Sequence, residues 1–201
     1  AERDVSAILQ RTLVRRGMKF LTESAVEHVA VRDGRVDVEI KKKGGEKEVI
    51  TADKMLVALG RRPLTEGLGL EETGVALERG FVRVNERYET SQSGIFAIGD
   101  LIGPPLLAHA ASQEGISAVL HIAGKEAAPT DPKRVPSVNY CYPQVASVGL
   151  TSQEAEEKGY EIKTGKFPFS ANSKAVISGE EEVGFVKVIA EKSYGEVLGI
   201  H

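Results

Sequence analysis

The stretch from Gly94 to Gly115, GIFAIGDLIGPPLLAHAASQEG, constrains the fold more than any other part of the chain. Ile95, Phe96, Ala97 and Ile98 form an apolar run without polar alternation, which predicts a strand covered on both faces inside an open α/β sheet. Gly99 and Asp100 end it. After Pro104 and Pro105, the residues Leu107, Ala111, Gly115, Ala118 and Ile122 recur at helical spacing, so a helix is expected to start near Leu106. In such sheets ligands bind beyond the carboxyl ends of the strands, where the Asp100 carboxylate would accept hydrogen bonds from a sugar or polyol hydroxyl. A turn-stabilising role for Asp100 fits the same residues. The backbone N–H groups of Leu106, Leu107, Ala108 and His109 have no intrahelical partner and stand at the positive end of the helix, so they suit an electron-rich ligand edge. The small residues Ala108, Ala110, Ala111, Ser112 and Gly115 let a flat group or another backbone come close.

Ahead of that stretch the pattern changes to short alternating strands. Asp4 is a plausible cap for a helix carrying Val5, Ile8, Leu9 and Leu13 on one face, with Gly17 as its stop. Met18–Leu21 reads as a short strand. An antiparallel meander follows from Val26, turning at Asp33-Gly34 and at Gly44-Gly45, with its third strand over Lys47–Thr51. Met55–Leu59 reads as another apolar strand, ending in Gly60. Gly80–Val84 is a short strand, and Ala127–Pro136, with three prolines, is the clearest linker. Beyond it come an extended segment, a strand, a helix opened by the capping-box pattern Thr151–Glu154 and closed at Gly159, and further strands including Val183–Ala190 and Val197–His201.

Composition removes several function classes. The net charge is -3 with both signs interspersed, which leaves no basic stripe for nucleic acid and no polybasic patch for a membrane. No apolar run is long enough to span a bilayer, and no signal or transit-like segment is seen, so a soluble protein is expected. Cys141 is the only cysteine, which excludes an internal disulfide and a thiolate metal cluster; it reads as a small packed side chain. His28, His109, His121 and His201 are scattered, with no pair at ligand spacing, so no metal site and no histidine base are assigned. The chain opens directly into a helix and stops at VLGIH within a strand, and a piece of a larger protein is expected.

AIGD followed by LLAHAASQEG resembles the second flavin-binding segment of the pyridine nucleotide-disulfide oxidoreductases, and the LAH-A-EG form is most similar to their dihydrolipoamide dehydrogenase branch. GRRP at Gly60–Pro63 and NSKA at Asn172–Ala175 match as well. The resemblance implies an α/β fold. Residues 1–63 would be the closing half of a Rossmann-like NAD domain with its antiparallel meander, 64–133 a second FAD-binding segment, and 134–201 the beginning of an α+β interface (dimerisation) domain. It implies that Asp100 bonds the ribityl chain of FAD and that Leu106, Leu107, Ala108 and His109 face the pyrimidine edge of the flavin, mainly through backbone. By residue match Val26 would line the adenine side of NAD and the Gly60 backbone would approach that cofactor closely; on its own Val26 reads first as a plain sheet residue.

The activity implied is that of a flavoprotein oxidoreductase passing electrons from a dihydrolipoyl dithiol through a disulfide and FAD to NAD. The implied partners are a second copy in a homodimer, a lipoyl domain as substrate and the peripheral subunit-binding domain of an acyltransferase, in the cytoplasm or, in a eukaryote, the mitochondrial matrix. The family's redox cysteine pair, glycine-rich phosphate fingerprint and catalytic histidine match no residue here. No catalytic residue is therefore assigned, and these residues alone are expected not to turn over. Two other readings stay open: another FAD disulfide reductase, of glutathione or mercuric type, and a non-catalytic dimerisation or docking module.

Overall fold

A computed structural model describes residues 2–179 and 184–201. The chain separates into two compact units, Gln10–Arg61 and Ala1–Leu9 with Arg62–His201. Helix α1 (Arg3–Arg15) has Val5, Ile8, Leu9 and Leu13 half-buried on one face, as their spacing requires. It begins two residues earlier than an Asp4 cap would place it, so Asp4 lies inside the first turn, where a carboxylate favours the helix dipole. Gly17 closes it in the left-handed region at φ 91°.

In the smaller unit, strands β1 (Ala25–Arg32), β2 (Arg35–Lys41) and β3 (Lys47–Ala52) form an antiparallel meander in the order β1-β2-β3. Asp33 and Gly34 both take positive φ, 50° and 73°, and set the register Arg32 opposite Arg35. That is the two-residue hairpin whose twist matches the strands it joins. The meander carries exposed ion pairs, among them Glu27 with Lys41 and Lys47, of the kind that adds little stability.

In the larger unit, helix α2 (Leu70–Thr73) and the two-stranded ribbon β4 (Leu77–Glu78) and β5 (Phe81–Val82) surround a small core. Val75, Val82 and Ala97 are buried there, with Leu70, Val84, Leu101 and Ile102 packed against them. Helix α3 (Ala108–Ile122) follows. The proline-rich stretch after it is pinned: Ser117 Oγ donates to the Ala128 carbonyl (3.2 Å), and the Thr130 N–H to the Tyr88 hydroxyl oxygen (2.7 Å).

Strands β6 (Ser137–Asn139), β7 (Val145–Gly149), β8 (Ile162–Pro168), β9 (Phe185–Glu191) and β10 (Val197–Ile200) make a five-stranded antiparallel sheet in the order β6-β7-β10-β9-β8. Helix α4 (Ser152–Glu157) has the expected capping box: Thr151 Oγ1 accepts from the Glu154 N–H at 3.2 Å and the Glu154 carboxylate accepts from the Thr151 N–H at 2.8 Å. Asn172, in the NSKA segment, caps α5 (Ser173–Ser178). The expected strand beginning at Val183 is found over Phe185–Glu191; Val183 itself lies outside the described residues.

Three expected strands are not strands. Met18–Leu21, Met55–Leu59 and Ile95–Ile98 run without ladder partners among the described residues, apart from a single bridge between Glu89 and Phe96. An apolar run predicts what a segment wants to bury, whereas a strand exists only where a neighbour supplies its hydrogen bonds. Leu56 and Leu59 are accordingly 88% and 94% exposed. Every named strand pair is antiparallel. No helix among the described residues is long and apolar enough to cross a membrane.

Candidate functional site

The site is built on the passage from Phe96 to the head of α3. The Ala97 N–H donates to the Tyr88 carbonyl at 3.0 Å, which holds the extended segment over the core. Gly99 then turns the chain at φ 71°, a conformation a side chain would strain, and opens a 3₁₀ turn over Gly99–Leu101. The turn closes with the Ile102 N–H on the Gly99 carbonyl at 2.9 Å. Asp100 stands in the middle of it, half-buried. Its position is thus in a tight turn over a packed core rather than at the tip of a paired strand.

The turn is docked on α3. A Cβ on Gly99 would lie 3.1 Å from the Ala111 Cβ, and one on Gly115 would lie 3.1 Å from Ile98 Cδ1. Close approach between turn and helix therefore depends on these small residues. The same contact is fastened by a group that the sequence reading missed. Glu114 is 5% exposed, and its Oε2 accepts from the Gly99 N–H at 2.7 Å. A buried carboxylate accepting one short charge-assisted bond fixes the turn to the helix face more firmly than neutral contacts would. The signal was present: Glu114 is four residues from both Ala110 and Ala118, so it shares their stripe on the helix, and all three are buried. The expected stripe through Leu107, Ala111, Gly115, Ala118 and Ile122 is rotated, since Ile122 is 61% exposed while Ala110, Glu114, Ser117 and Ala118 are the buried residues of α3.

The helix starts at Ala108, with Leu107 extended before it as N-cap. The Leu107 N–H is used locally, donating to the Pro105 carbonyl at 2.9 Å. The unused donors of the first turn are therefore those of Ala108, His109 and Ala110, a set that begins two positions after the expected first donor, Leu106. Ala108 and His109 are exposed, so their N–H groups are open to a ligand. The His109 side chain is engaged elsewhere: Nε2–H donates to the Pro136 carbonyl at 2.8 Å, which leaves the backbone as what this residue presents.

The two residues matched to the nucleotide cofactor lie in the smaller unit. Val26 is 53% exposed and stands beside a register shift in β1 between Val26 and His28, the kind of bulge that re-aims a side chain at a strand end. Gly60 has φ 110°, and a Cβ built on it would meet no atom within 4 Å, so its backbone is open to close approach. Cys141 is exposed rather than packed, with its Sγ 3.1 Å from the Pro143 carbonyl oxygen, because the turn that follows β6 carries it outward. Among the described residues no group of three or more His, Cys, Asp or Glu side chains could hold a metal ion.

Two family models match the chain: pyridine nucleotide-disulphide oxidoreductase over residues 1–115, and the dimerisation domain of that group over 135–201. A dihydrolipoyl dehydrogenase of Thermus scotoductus is 46% identical over 201 residues, covering 99% of this chain and 43% of the relative. The mitochondrial dihydrolipoyl dehydrogenase of Homo sapiens is 45% identical over 201 residues, 98% of this chain and 39% of its own length. Among solved structures, the HOCl-induced flavoprotein disulfide reductase RclA of Escherichia coli superposes with a TM-score of 0.88 at 26% identity, covering 99% of this chain and 45% of that one. The chain thus spans about two fifths of the length of the curated relatives it matches.

Proposed function

The chain belongs to the pyridine nucleotide-disulphide oxidoreductase family, and from that premise we propose that the full-length polypeptide is a dihydrolipoyl dehydrogenase, oxidising a dihydrolipoyl dithiol at the expense of NAD. The observation that carries the reading is the Gly99–Asp100 turn docked on α3, with the open backbone donors at the head of that helix close by in sequence. Its residues suit FAD. Asp100 is acceptor-only when ionised and only half-buried, which matches the hydroxyls of a ribityl chain. In the segment Leu106, Leu107, Ala108 and His109, the exposed N–H groups of Ala108 and His109 stand at the positive end of α3 and suit the electron-rich pyrimidine edge of the flavin. Val26 and Gly60 are assigned to NAD, the first as an apolar wall and the second as a backbone that admits the cofactor.

When bound, FAD would supply the ring that carries electrons between the dithiol and the nicotinamide. The chain's own residues orient that ring and offer preorganised donors where negative charge grows, at no reorganisation cost during transfer. None of them moves the substrate's protons. On this reading residues 1–63 complete a NAD domain, 64–133 carry the flavin segment and 134–201 open the interface domain. The dimerisation-domain match supports a homodimer. A lipoyl domain as substrate, the subunit-binding domain of an acyltransferase as partner, and the cytoplasm or mitochondrial matrix as compartment belong to the same proposal.

The test is the visible spectrum of the full-length protein before and after dihydrolipoamide. A flavin band that dihydrolipoamide bleaches or shifts supports the reading. A flavin reduced only by a different disulfide substrate's thiol keeps the family and refutes the substrate. A protein that stays colourless after incubation with FAD refutes the flavin assignment, Asp100 included.

A further inference from the structure

The buried Glu114 carboxylate has no part in the cofactor contacts assigned above, yet it reaches the peptide that carries Asp100. Its Oε2 lies 2.7 Å from the Gly99 nitrogen, and the residue is 5% exposed. It meets the turn through the backbone. Gly99 is left-handed at φ 71° and a Cβ there would press on Ala111, so backbone, not side chain, must meet the helix. Without the carboxylate, the Gly99 N–H would be a buried donor lacking a partner, and the 3₁₀ turn would relax to recover one. Asp100 is the next residue, so its carboxylate would move with it.

We propose that Glu114 is a positioning residue for the flavin: it fixes the Gly99 peptide on α3 and thereby sets where Asp100 meets the ribityl hydroxyls. This rests on the assignment of Asp100 to FAD. The role belongs to reach rather than to charge near the ring. A carboxamide in place of the carboxylate still offers an oxygen to the Gly99 N–H, whereas an aspartate keeps the charge but falls one methylene short.

The experiment uses the full-length protein stripped of flavin and titrated with FAD, with flavin fluorescence and visible circular dichroism as readouts. Glu114→Ala is expected to weaken FAD binding by about tenfold, the scale of one lost hydrogen bond to a charged group, and to change the dichroism of the bound flavin. Glu114→Gln should recover most of that loss, and Glu114→Asp should not. Should Glu114→Ala fail to fold, the contrast between Gln and Asp carries the test. In a Asp100→Ala background, Glu114→Ala should cost little more, because the position it sets is no longer used. Fully additive losses in that double variant, or tight binding by Glu114→Asp, would overturn the proposal while leaving Asp100 in place. If Asp100→Ala alone leaves FAD affinity unchanged, the assignment of Asp100 falls, and the proposal with it.

Discussion

Replacing Lys187 by methionine removes a charge from a buried pair while keeping most of its stem. Lys187 Nζ lies 2.8 Å from Glu2 Oε1 and 3.4 Å from Asp4 Oδ2, with the lysine side chain 11% exposed and that of Glu2 5%. Glu2 also accepts from the Ser152 N–H at 2.8 Å and the Ser152 hydroxyl at 3.2 Å, at the head of α4. The substitution would leave Glu2 buried with two donors and no cation. Breaking one side of a buried pair costs about 3–5 kcal/mol, and the retained Ser152 donors argue for about 3. At about 1.4 kcal/mol per factor of ten, that is roughly a hundredfold rise in local opening. Hydrogen exchange of the full-length protein, read on the peptide containing the Ser152 amide, measures it. Adding Glu2→Gln should recover much of the loss, since no unpaired charge remains. Exchange within about threefold of the parent, or a double variant no better than Lys187→Met alone, would refute the reasoning.

The same pair fixes a pH window. Burial pushes the Glu2 carboxyl up, but Lys187 and Ser152 outweigh it and hold it below the ordinary 4.5. Its contribution is thus complete above that value and is lost as the pH falls through the lowered one. Burial pushes Lys187 down, but Glu2 and Asp4 outweigh that and raise it above 10.5, so its contribution is complete below 10.5 and is lost as the pH rises through the raised value. The Ser152 amide should be best protected between these limits, and Lys187→Met should flatten both edges.

Gly149→Ala should prevent the five-stranded sheet from closing. Gly149 has φ 81°, and a Cβ there would run into the Leu198 carbonyl oxygen and lie 2.8 Å from the Gly199 Cα, a cost of about 3 kcal/mol or more that a loss of folded yield or a lower denaturant midpoint would record. Tyr88→Phe removes the acceptor of the Thr130 N–H; a loss of about 1–3 kcal/mol is expected, with faster exchange at Thr130, and unchanged exchange would refute the tie. Thr151→Ala should cost about 1 kcal/mol as a lost N-cap. The Thr151 N–H and then its hydroxyl hold the Glu154 carboxyl below 4.5; that contribution is present above 4.5 and fades as the pH falls through the lowered value, a dependence the variant should weaken.

How far the sequence foretold this structure depends on the range of the interaction that decides each feature. Asp33-Gly34, Thr151–Glu154 and the Gly17 stop are settled within a few residues, and each is found where expected. Met18–Leu21, Met55–Leu59 and Ile95–Ile98 were legible as apolar but not as strands, because pairing is decided by segments far off in sequence. The motif pointed to Asp100 and to a helix start near Leu106, which lies two residues later at Ala108, whereas Glu114 was hidden inside it. A charged residue on a helix reads as solvent-facing until its burial and its partner, Gly99, are seen. Cys141 was misread for the converse reason, a small side chain taken as packed where the turn carries it outward.

The sheet order β6-β7-β10-β9-β8 also sets a schedule for synthesis. Its central strand is made last of the five. Strands β8 and β9, with α5 between them in sequence, can pair as they emerge, but β7 and β9 face a gap until β10 arrives, and the contact between His201 and the Leu150 carbonyl joins residues 51 apart. Pairing over such separations is slow, and open strand edges are sticky while they wait. A nascent chain whose emerged part ends before Val197 would hold unpaired edges on β7 and β9, so chaperone engagement should peak at that stage and fall once β10 has left the ribosome.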